Sequence, residues 1–270
     1  MSVERKRIQS AFQRGADQYD QHTPVQQRVI ERLVELVKED QLPDVAECLD
    51  VGCGTGRLLE QIAHRFPRFN LTGLDLADQM LCQAAARLPS SVCLIQGDAE
   101  QLPFSDSCFD LLLSSSTFQW LPSLQECFGE LYRVIRPGGR VVFSMFGLGT
   151  LVELQDSWRI ALDRFGKCTG NVHDGTHQFY TADQVHNVLE LAGFTNVKVW
   201  TETEVVYYPD VPHLLRAIKK IGAGTVRPPS GGGLGWRTVL HAMAESYQVR
   251  YVTPEGVPAS YGVIYATGSR

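Results

Sequence analysis

The chain has 270 residues, of which 44% are hydrophobic and 20% are charged, and a chain of this size and composition can bury a substantial core without disulfides or metals. Its formal net charge of -5 argues against general binding to nucleic acids or membrane surfaces, because both require clustered positive charge. The sequence has no apolar run of about 18 residues, as a membrane span requires, and its opening MSVERKRIQS lacks the apolar segment of a secretory signal. We therefore expect a cytoplasmic protein with neither a nucleic-acid nor a membrane partner.

The first segment, residues 1–45, is predicted to form an N-terminal helical cap. Val29, Leu33 and Leu36 recur at helical spacing, and Pro24 suits the first turn of a helix. After this cap, the pattern of apolar residues in the sequence changes.

From residue 46 onward, short apolar strands alternate with helical segments, which is the pattern of βαβ units and a parallel sheet. We predict strands near residues 46–51, 70–75, 92–96, 109–114 and 140–146. The sequence therefore indicates an α/β fold with a Rossmann-like sheet, whose core spans residues 46–150.

Residues 151–270 are predicted to complete the sheet within the same domain. Thr181 and Gln184 form a capping-box pattern at the start of a helix. A helical insertion at about residues 208–250 is expected to cover the active site. The predicted elements here are helices near 151–165, 181–192, 213–224 and 237–249, and strands near 197–207 and 261–266.

The cysteines and histidines give no sign of a metal site. Seven cysteines occur without a CxxC pair, mostly in apolar segments, and we expect them to pack as small hydrophobic residues. The alternative is a redox-sensitive thiol such as Cys53. His173 and His177 have helical spacing, but Gly175 lies between them and no third ligand is evident, so we predict no metal.

Three glycines follow the first predicted strand in the sequence CLDVGCGTG. Gly52, Gly54 and Gly56 remove side chains, so that a ligand can lie against the backbone at the carboxyl end of the strand. The pattern alone is weak evidence. It also departs from the dinucleotide-binding fingerprint, because Leu58 or Leu59 stands where a glycine or alanine is expected and Asp50 precedes the glycines.

Acidic residues follow the second and third predicted strands. Asp75 lies about 20 residues past the glycines, where a carboxylate can accept both hydroxyls of a ribose, although it could also be the acid at a helix N-terminus. Asp98, in QGDAEQLPF, could accept the exocyclic amine of an adenine, while Ala99 leaves space for the ring. Three such elements after three successive strands predict a single nucleoside site.

Together with ELYRVIRPGGRVVFS, these elements resemble the class I S-adenosylmethionine-dependent methyltransferases over residues 46–146. The resemblance implies S-adenosyl-L-methionine as cofactor, a sheet with a reversed last strand, and a glycine loop beneath the methionine part of the cofactor. In that family Arg133 is mainly structural. The residues that we predict to contact the cofactor are Tyr19, Asp50, Gly52, Cys53, Gly54, Gly56, Asp75, Leu76, Met80, Asp98, Ala99 and Ser115.

The flanking segments AFQRGADQYDQHTPVQQ, GTLVELQDSWR and LLRAIKKIGAGT resemble the malonyl-acyl-carrier-protein O-methyltransferase family of the biotin pathway. The resemblance implies methylation of the free carboxylate of a malonyl thioester, held on the phosphopantetheine arm of acyl carrier protein or on coenzyme A. This reaction initiates pimeloyl formation. The alternatives are a class I methyltransferase acting on another small carboxylate or on a small-molecule oxygen or nitrogen, and a catalytically silent protein that only binds the cofactor.

Five side chains are predicted to surround the acceptor. The family resemblance makes Arg216 the first choice to hold the malonyl carboxylate, with Tyr19 and His22 over the methyl group. Gln119 or Trp120 would form the opposite wall. An exposed arginine and simple helix packing are the alternatives for Arg216 and Tyr19.

The same helix carries a cluster of positive charge. Arg216, Lys219 and Lys220 have the spacing of one helical face. Such a face could dock an acidic acyl carrier protein, or it could simply be solvated.

Overall fold

The computed structural model describes residues 9–10, 12–16, 19–20, 23–38, 42–166, 179–220 and 234–270. The chain divides into two compact units. One consists of Met1–Gly147, Tyr180–Glu202 and Val263–Arg270, and the other of Leu148–Phe179 and Thr203–Gly262. The domain boundaries drawn from the sequence stay a prediction.

Seven strands and eight helices are assigned in the described residues. In chain order these elements are α1 (Pro24–Leu36), β1 (Glu47–Val51), α2 (Arg57–Arg65), β2 (Asn70–Asp75), α3 (Asp78–Arg87), β3 (Cys93–Gln96), β4 (Phe109–Ser115), α4 (Leu124–Val134), β5 (Ile135–Phe146), α5 (Val152–Arg164), α6 (Ala182–Leu191), β6 (Thr195–Tyr208), α7 (Val211–Lys220), α8 (Leu234–Tyr251) and β7 (Val257–Ser269). A 3-10 turn, Phe118–Trp120, follows β4. Residues 9–10 and 12–15 are also helical.

The strands form one sheet with the order β3-β2-β1-β4-β5-β7-β6. Strands β1 to β5 pair in parallel, and β7 runs antiparallel to β5, from Arg140 opposite Ser269 to Phe146 opposite Val263. The predicted Rossmann-like sheet with a reversed last strand is thus confirmed. The strand order reverses direction between β1 and β4, and ligands in open α/β sheets bind beside such a point, at the carboxyl ends of the strands.

Local signals in the sequence explain several element boundaries. Helix α1 begins with Pro24 in its first turn, as predicted. The capping box before α6 is present, because the Thr181 hydroxyl accepts from the Gln184 N–H while the Gln184 side chain accepts from the Thr181 N–H. In β4, consecutive residues from Phe109 onward are buried, which is typical of a central parallel strand covered on both faces.

Two expectations need correction. Strand β5 begins at Ile135 and not near residue 140, because the segment around Gly139 pairs with the chain end: the Arg270 N–H donates to the Gly139 carbonyl at 3.0 Å. The cysteines also differ from one another in burial. Cys82 and Cys93 are exposed, since Cys82 lies on the outer side of α3 and Cys93 on the edge strand β3.

The second unit contains α5, α7 and α8. Its Glu153 is buried and accepts hydrogen bonds from the backbone N–H of Ser260, at 3.1 Å, and from the Ser260 hydroxyl. The Tyr247 hydroxyl donates to the Pro258 carbonyl at 2.5 Å. These contacts tie α5 and α8 to the segment around residues 258–260.

Two features are absent from the described part of the chain. None of its helices has the length and apolar character needed to cross a membrane. Nor do its histidines, cysteines and carboxylates gather into a group of three that would suit a metal ion. His173 and His177 lie outside the described residues.

Candidate active site

A pocket of about 820 Å³, including its open mouth, lies at the carboxyl ends of β1, β2 and β4 in the first unit. Many of the residues predicted to bind the cofactor or flank its methyl group line this pocket. They are Tyr19, Gly52, Gly54, Asp75, Leu76, Met80, Asp98, Ala99, Ser115 and Trp120.

The glycine loop after β1 adopts a backbone that side chains would obstruct. Gly52, Gly54 and Gly56 have φ angles of 75°, 53° and 81°, in the left-handed region that favours glycine. A Cβ atom at Gly52 would lie 2.3 Å from the side chain of Thr117, whereas one at Gly54 would project into open space. The loop therefore presents bare backbone to the pocket.

Asp75 ends β2 and joins two parts of the pocket wall. Its Oδ2 accepts a hydrogen bond of 2.9 Å from the Gly54 N–H, and its Oδ1 accepts one of 2.8 Å from the Ala77 N–H. Burial raises the pKa of this carboxyl, and the backbone donors oppose that shift. Each oxygen keeps a lone pair that a ribose hydroxyl could use.

Asp50 lies directly before the glycine loop and is 1% exposed. Among the described residues, neither of its carboxylate oxygens has a hydrogen-bond partner. Burial, together with the negative charge of Asp75, raises the pKa of Asp50 to about 8. A buried carboxylate without a partner is costly and calls for a functional explanation. The α-ammonium group of S-adenosylmethionine would supply the missing donor and charge, so these residues fit the cofactor.

A smaller cavity of about 450 Å³ continues from the pocket beneath the glycine loop. Both spaces are lined by Tyr19, Gly52, Gly54, Ser115 and Ser116. Asp50 and Cys53 line only the smaller one. Its lining includes the polar side chains of Asp20, Asp50 and Thr55, which suit the amino-acid end of the cofactor.

The loop after β3 forms the end of the pocket predicted to hold adenine. Asp98 and Ala99 line the pocket, and the Asp98 carboxylate accepts the Glu100 N–H at 3.0 Å. The loop is fastened to α4: Glu130 accepts the Leu102 N–H at 2.8 Å, and Arg133 donates to the Leu102 carbonyl at 3.0 Å. Arg133 thus has the structural role implied by the resemblance.

The N-terminal segment supplies an aromatic wall. The Phe12 ring lies edge-on to the rings of Tyr19, at 6.1 Å, and Trp120, at 5.8 Å. Phe12 and Gln9 both line the pocket, although sequence reasoning did not select them. Their only signal was their closeness to Tyr19 in the sequence. Burial, followed by the charges of Asp75 and Asp20, raises the pKa of the Tyr19 phenol.

The structure does not bring every predicted residue to the pocket. Gln119 is 2% exposed and is not part of the lining; its amide donates to the Ser116 carbonyl at 2.6 Å and accepts the Phe146 N–H at 3.3 Å. Gly56 precedes α2 and faces Leu88. Arg216 lies on α7 in the second unit and is exposed. His22 is outside the described residues.

Comparison with known proteins places this site in a family. A methyltransferase domain family model matches residues 49–143. The malonyl-[acyl-carrier protein] O-methyltransferase of Geobacter sulfurreducens is 42% identical over 99% of this chain and 100% of its own length. The protein of the same name from Dechloromonas aromatica is 35% identical over 96% of this chain and 92% of its own.

A solved structure supports the fold. The crystal structure of a putative methyltransferase from Bacillus halodurans has a TM-score of 0.60 and 19% identity, and the match covers 89% of this chain and 97% of that one. At that level of identity the likeness concerns the fold alone, and it agrees with the family found from the sequence. Given the relatives that match it from end to end, this chain belongs to the malonyl-[acyl-carrier protein] O-methyltransferase family.

Proposed function

We propose that this protein transfers a methyl group from S-adenosylmethionine to the free carboxylate of a malonyl thioester carried by acyl carrier protein, the step that initiates pimeloyl formation in biotin biosynthesis. The observation that carries the proposal is the end-to-end similarity to relatives of that name. The pocket supports it, because Asp50, Asp75 and Asp98 stand at the ends of successive strands where a nucleoside cofactor can be held.

The reaction requires little acid–base chemistry from the protein. A carboxylate with a pKa of about 4 is already ionised at neutral pH and needs no general base. When bound, S-adenosylmethionine supplies an electrophilic methyl group on a sulfonium. The protein contributes by orienting the two reactants and excluding water. Tyr19 and Trp120 are suited to this role, since both line the pocket.

We propose specific tasks for the lining residues. Asp75 would accept the ribose hydroxyls, Asp98 the adenine amine, and Asp50 would face the α-ammonium group. Tyr19 would border the methyl group as a neutral phenol, because its raised pKa keeps the proton on the oxygen. The assignment of His22 to the same wall stays a prediction.

Substrate recognition is proposed for α7. Val211, Leu214 and Ile218 form its buried face, whereas Arg216 and Lys219 are exposed. Arg216 would hold the malonyl carboxylate through one-sided contacts, because a tight bidentate grip would stabilise the ground state and weaken the nucleophile. Lys219 and Lys220 would attract the acidic carrier protein.

The proposal is tested by incubating the enzyme with methyl-labelled S-adenosylmethionine and four acceptors in parallel. These are malonyl-acyl carrier protein, malonyl-coenzyme A, free small acids including trans-aconitate, and a malonyl thioester whose free carboxylate is already methylated. We expect label on the malonyl thioesters and none on the blocked one. Labelling of free acids alone would favour another small carboxylate as substrate. Cofactor binding without any transfer would favour a silent binding protein.

The role of α7 is tested with matched neutral substitutions. Arg216→Gln should abolish transfer to both malonyl thioesters and leave the affinity for S-adenosylhomocysteine unchanged. Lys219→Gln combined with Lys220→Gln should raise KM for malonyl-acyl carrier protein and not for malonyl-coenzyme A. Lys198→Gln, at an exposed lysine of β6, is the control. Equal KM changes for both thioesters would contradict carrier docking at this helix.

A further inference from the structure

The Asp20 carboxylate lies at the centre of a polar network to which the proposed function assigns no task, although Asp20, Thr55 and Arg57 line the smaller cavity. Its Oδ1 accepts a hydrogen bond of 2.8 Å from the Thr55 hydroxyl, and its Oδ2 accepts one of 2.5 Å from Arg87 Nη2. Arg57 Nε forms an ion pair with the same Oδ2 at 3.1 Å. One side chain from the N-terminal segment therefore contacts the glycine loop, α2 and α3.

Arg87 makes further contacts in this network. Besides Asp20, Arg87 also donates to the Thr55 carbonyl at 2.5 Å and to the Thr55 hydroxyl at 2.9 Å. Asp20 and Arg87 expose only 20% and 22% of their side chains, so this pair is less screened by water than an ion pair on the open surface. A partly buried, charge-assisted network of this kind fixes geometry more firmly than one salt bridge does.

The backbone of Asp20 is held as well. Its carbonyl accepts a hydrogen bond of 3.0 Å from the Gln27 side chain in α1. Burial raises the pKa of the Asp20 carboxyl, but hydrogen bonds from Arg87 and Thr55 and the charges of Arg87 and Arg57 outweigh it and hold the pKa below its ordinary value. Asp20 is thus ionised at neutral pH, as the two arginines require.

Tyr19, the residue before Asp20, lines both cavities. Thr55, at the other side of the network, lines the smaller cavity, and its neighbour Gly54 in the glycine loop lines both cavities. We propose that Asp20 is a positioning residue that couples the N-terminal segment to the glycine loop, so that Tyr19 closes over the pocket only when the loop has its cofactor-binding shape. The inference rests on the proposed function insofar as it takes S-adenosylmethionine as the ligand.

The test measures binding and closure separately from methyl transfer. S-adenosylhomocysteine affinity is determined by calorimetry, and closure by trypsin cleavage after Arg14, which is exposed in the N-terminal segment, with fragments identified by mass spectrometry. In the unaltered protein, S-adenosylhomocysteine should slow cleavage after Arg14. Asp20→Asn should weaken binding by about tenfold or more and remove this protection.

Two further variants distinguish positioning from general stability. Arg87→Gln should also weaken binding and remove protection, and the double variant should lose less affinity than the sum of the two single losses, because both variants remove the contact between Asp20 and Arg87. Asp44→Asn breaks an ion pair to Arg68 in which the two side chains are 84% and 61% exposed, and should change neither readout.

The proposal is overturned if Asp20→Asn and Arg87→Gln keep normal affinity and protection. It is equally overturned if they lower only the melting temperature, or if the unaltered protein shows no protection by S-adenosylhomocysteine. Because no methyl acceptor is present, these results are independent of whether malonyl-acyl carrier protein is the substrate. If no malonyl thioester is methylated while Asp20→Asn and Arg87→Gln have the effects expected above, only the proposed function is rejected.

Discussion

The backbone N–H of Gly54 donates a hydrogen bond of 2.9 Å to the Asp75 carboxylate. The glycine loop that follows β1 is thereby fastened to the end of β2, and the same carboxylate lines the pocket. Asp75 can therefore both brace the loop and bind a ribose. Loss of this side chain is expected to affect the two functions together.

Replacing Asp75 with alanine should weaken S-adenosylhomocysteine binding by about 1.5–3 kcal/mol, because charge-assisted hydrogen bonds are lost. Titration calorimetry measures the change directly. Asp44→Ala serves as the control, since Asp44 is 84% exposed and is not part of the pocket lining. An affinity equal to that of the unaltered protein would mean that the ribose binds elsewhere.

Asp50→Asn should flatten the dependence of stability on pH. The pKa of Asp50 is about 8 in the folded protein, against 3.8 for the free side chain. Between these values the folded state binds more protons than the unfolded state, so its stability falls as pH rises through that window. The amide of the variant cannot titrate, and thermal unfolding from about pH 5 to about pH 8 should therefore show a smaller decrease. Parallel profiles for the two proteins would refute the raised pKa.

Gly52→Ala and Gly129→Ala should have opposite effects on stability. An alanine at Gly52 has an unfavourable φ of 75° and places its Cβ 2.3 Å from Thr117, so we expect a loss of at least about 1–2 kcal/mol and of cofactor binding. Gly129 is an exposed residue within α4, where a Cβ meets nothing within 4 Å. Alanine there should stabilise the helix by about 0.5–1 kcal/mol. Denaturant unfolding of both variants tests this contrast, and a stable, cofactor-binding Gly52→Ala protein would contradict it.

Gln119→Leu should destabilise the protein by about 1–3 kcal/mol, because it removes two buried hydrogen bonds, one to the Ser116 carbonyl and one from the Phe146 N–H. Ser116 has a φ of 54°, and its carbonyl is fixed by this amide. Chemical denaturation gives the free energy of unfolding. If Gln119 instead touched the acceptor, the variant would lose turnover at full stability.

The residues at the cofactor end of the site could be predicted from the sequence, because strand ends and glycines are recognisable from a few neighbouring residues. Apolar strands end immediately before Gly52 and at Asp75, and parallel strands bring their carboxyl ends to one edge of a sheet. The reversal of β7 was predicted through the family resemblance, and the pairing with β5 confirms it. Gln119 shows what the sequence alone does not predict. Its place beside Trp120 in a 3-10 turn gave no indication that one side chain would enter the core and the other the pocket.

The amino-acid order by itself determined the alternation of strands and helices, the glycine loop and the acids that follow the strands, since each depends on residues close together in the chain. Only the tertiary structure decided that Asp20 would meet Arg57 and Arg87, and that Phe12 would lie against Trp120. It also decided that Asp50 would be buried with no hydrogen-bond partner among the described residues. These contacts join residues far apart in sequence, and their energies depend on burial and packing that exist only after the sheet has assembled.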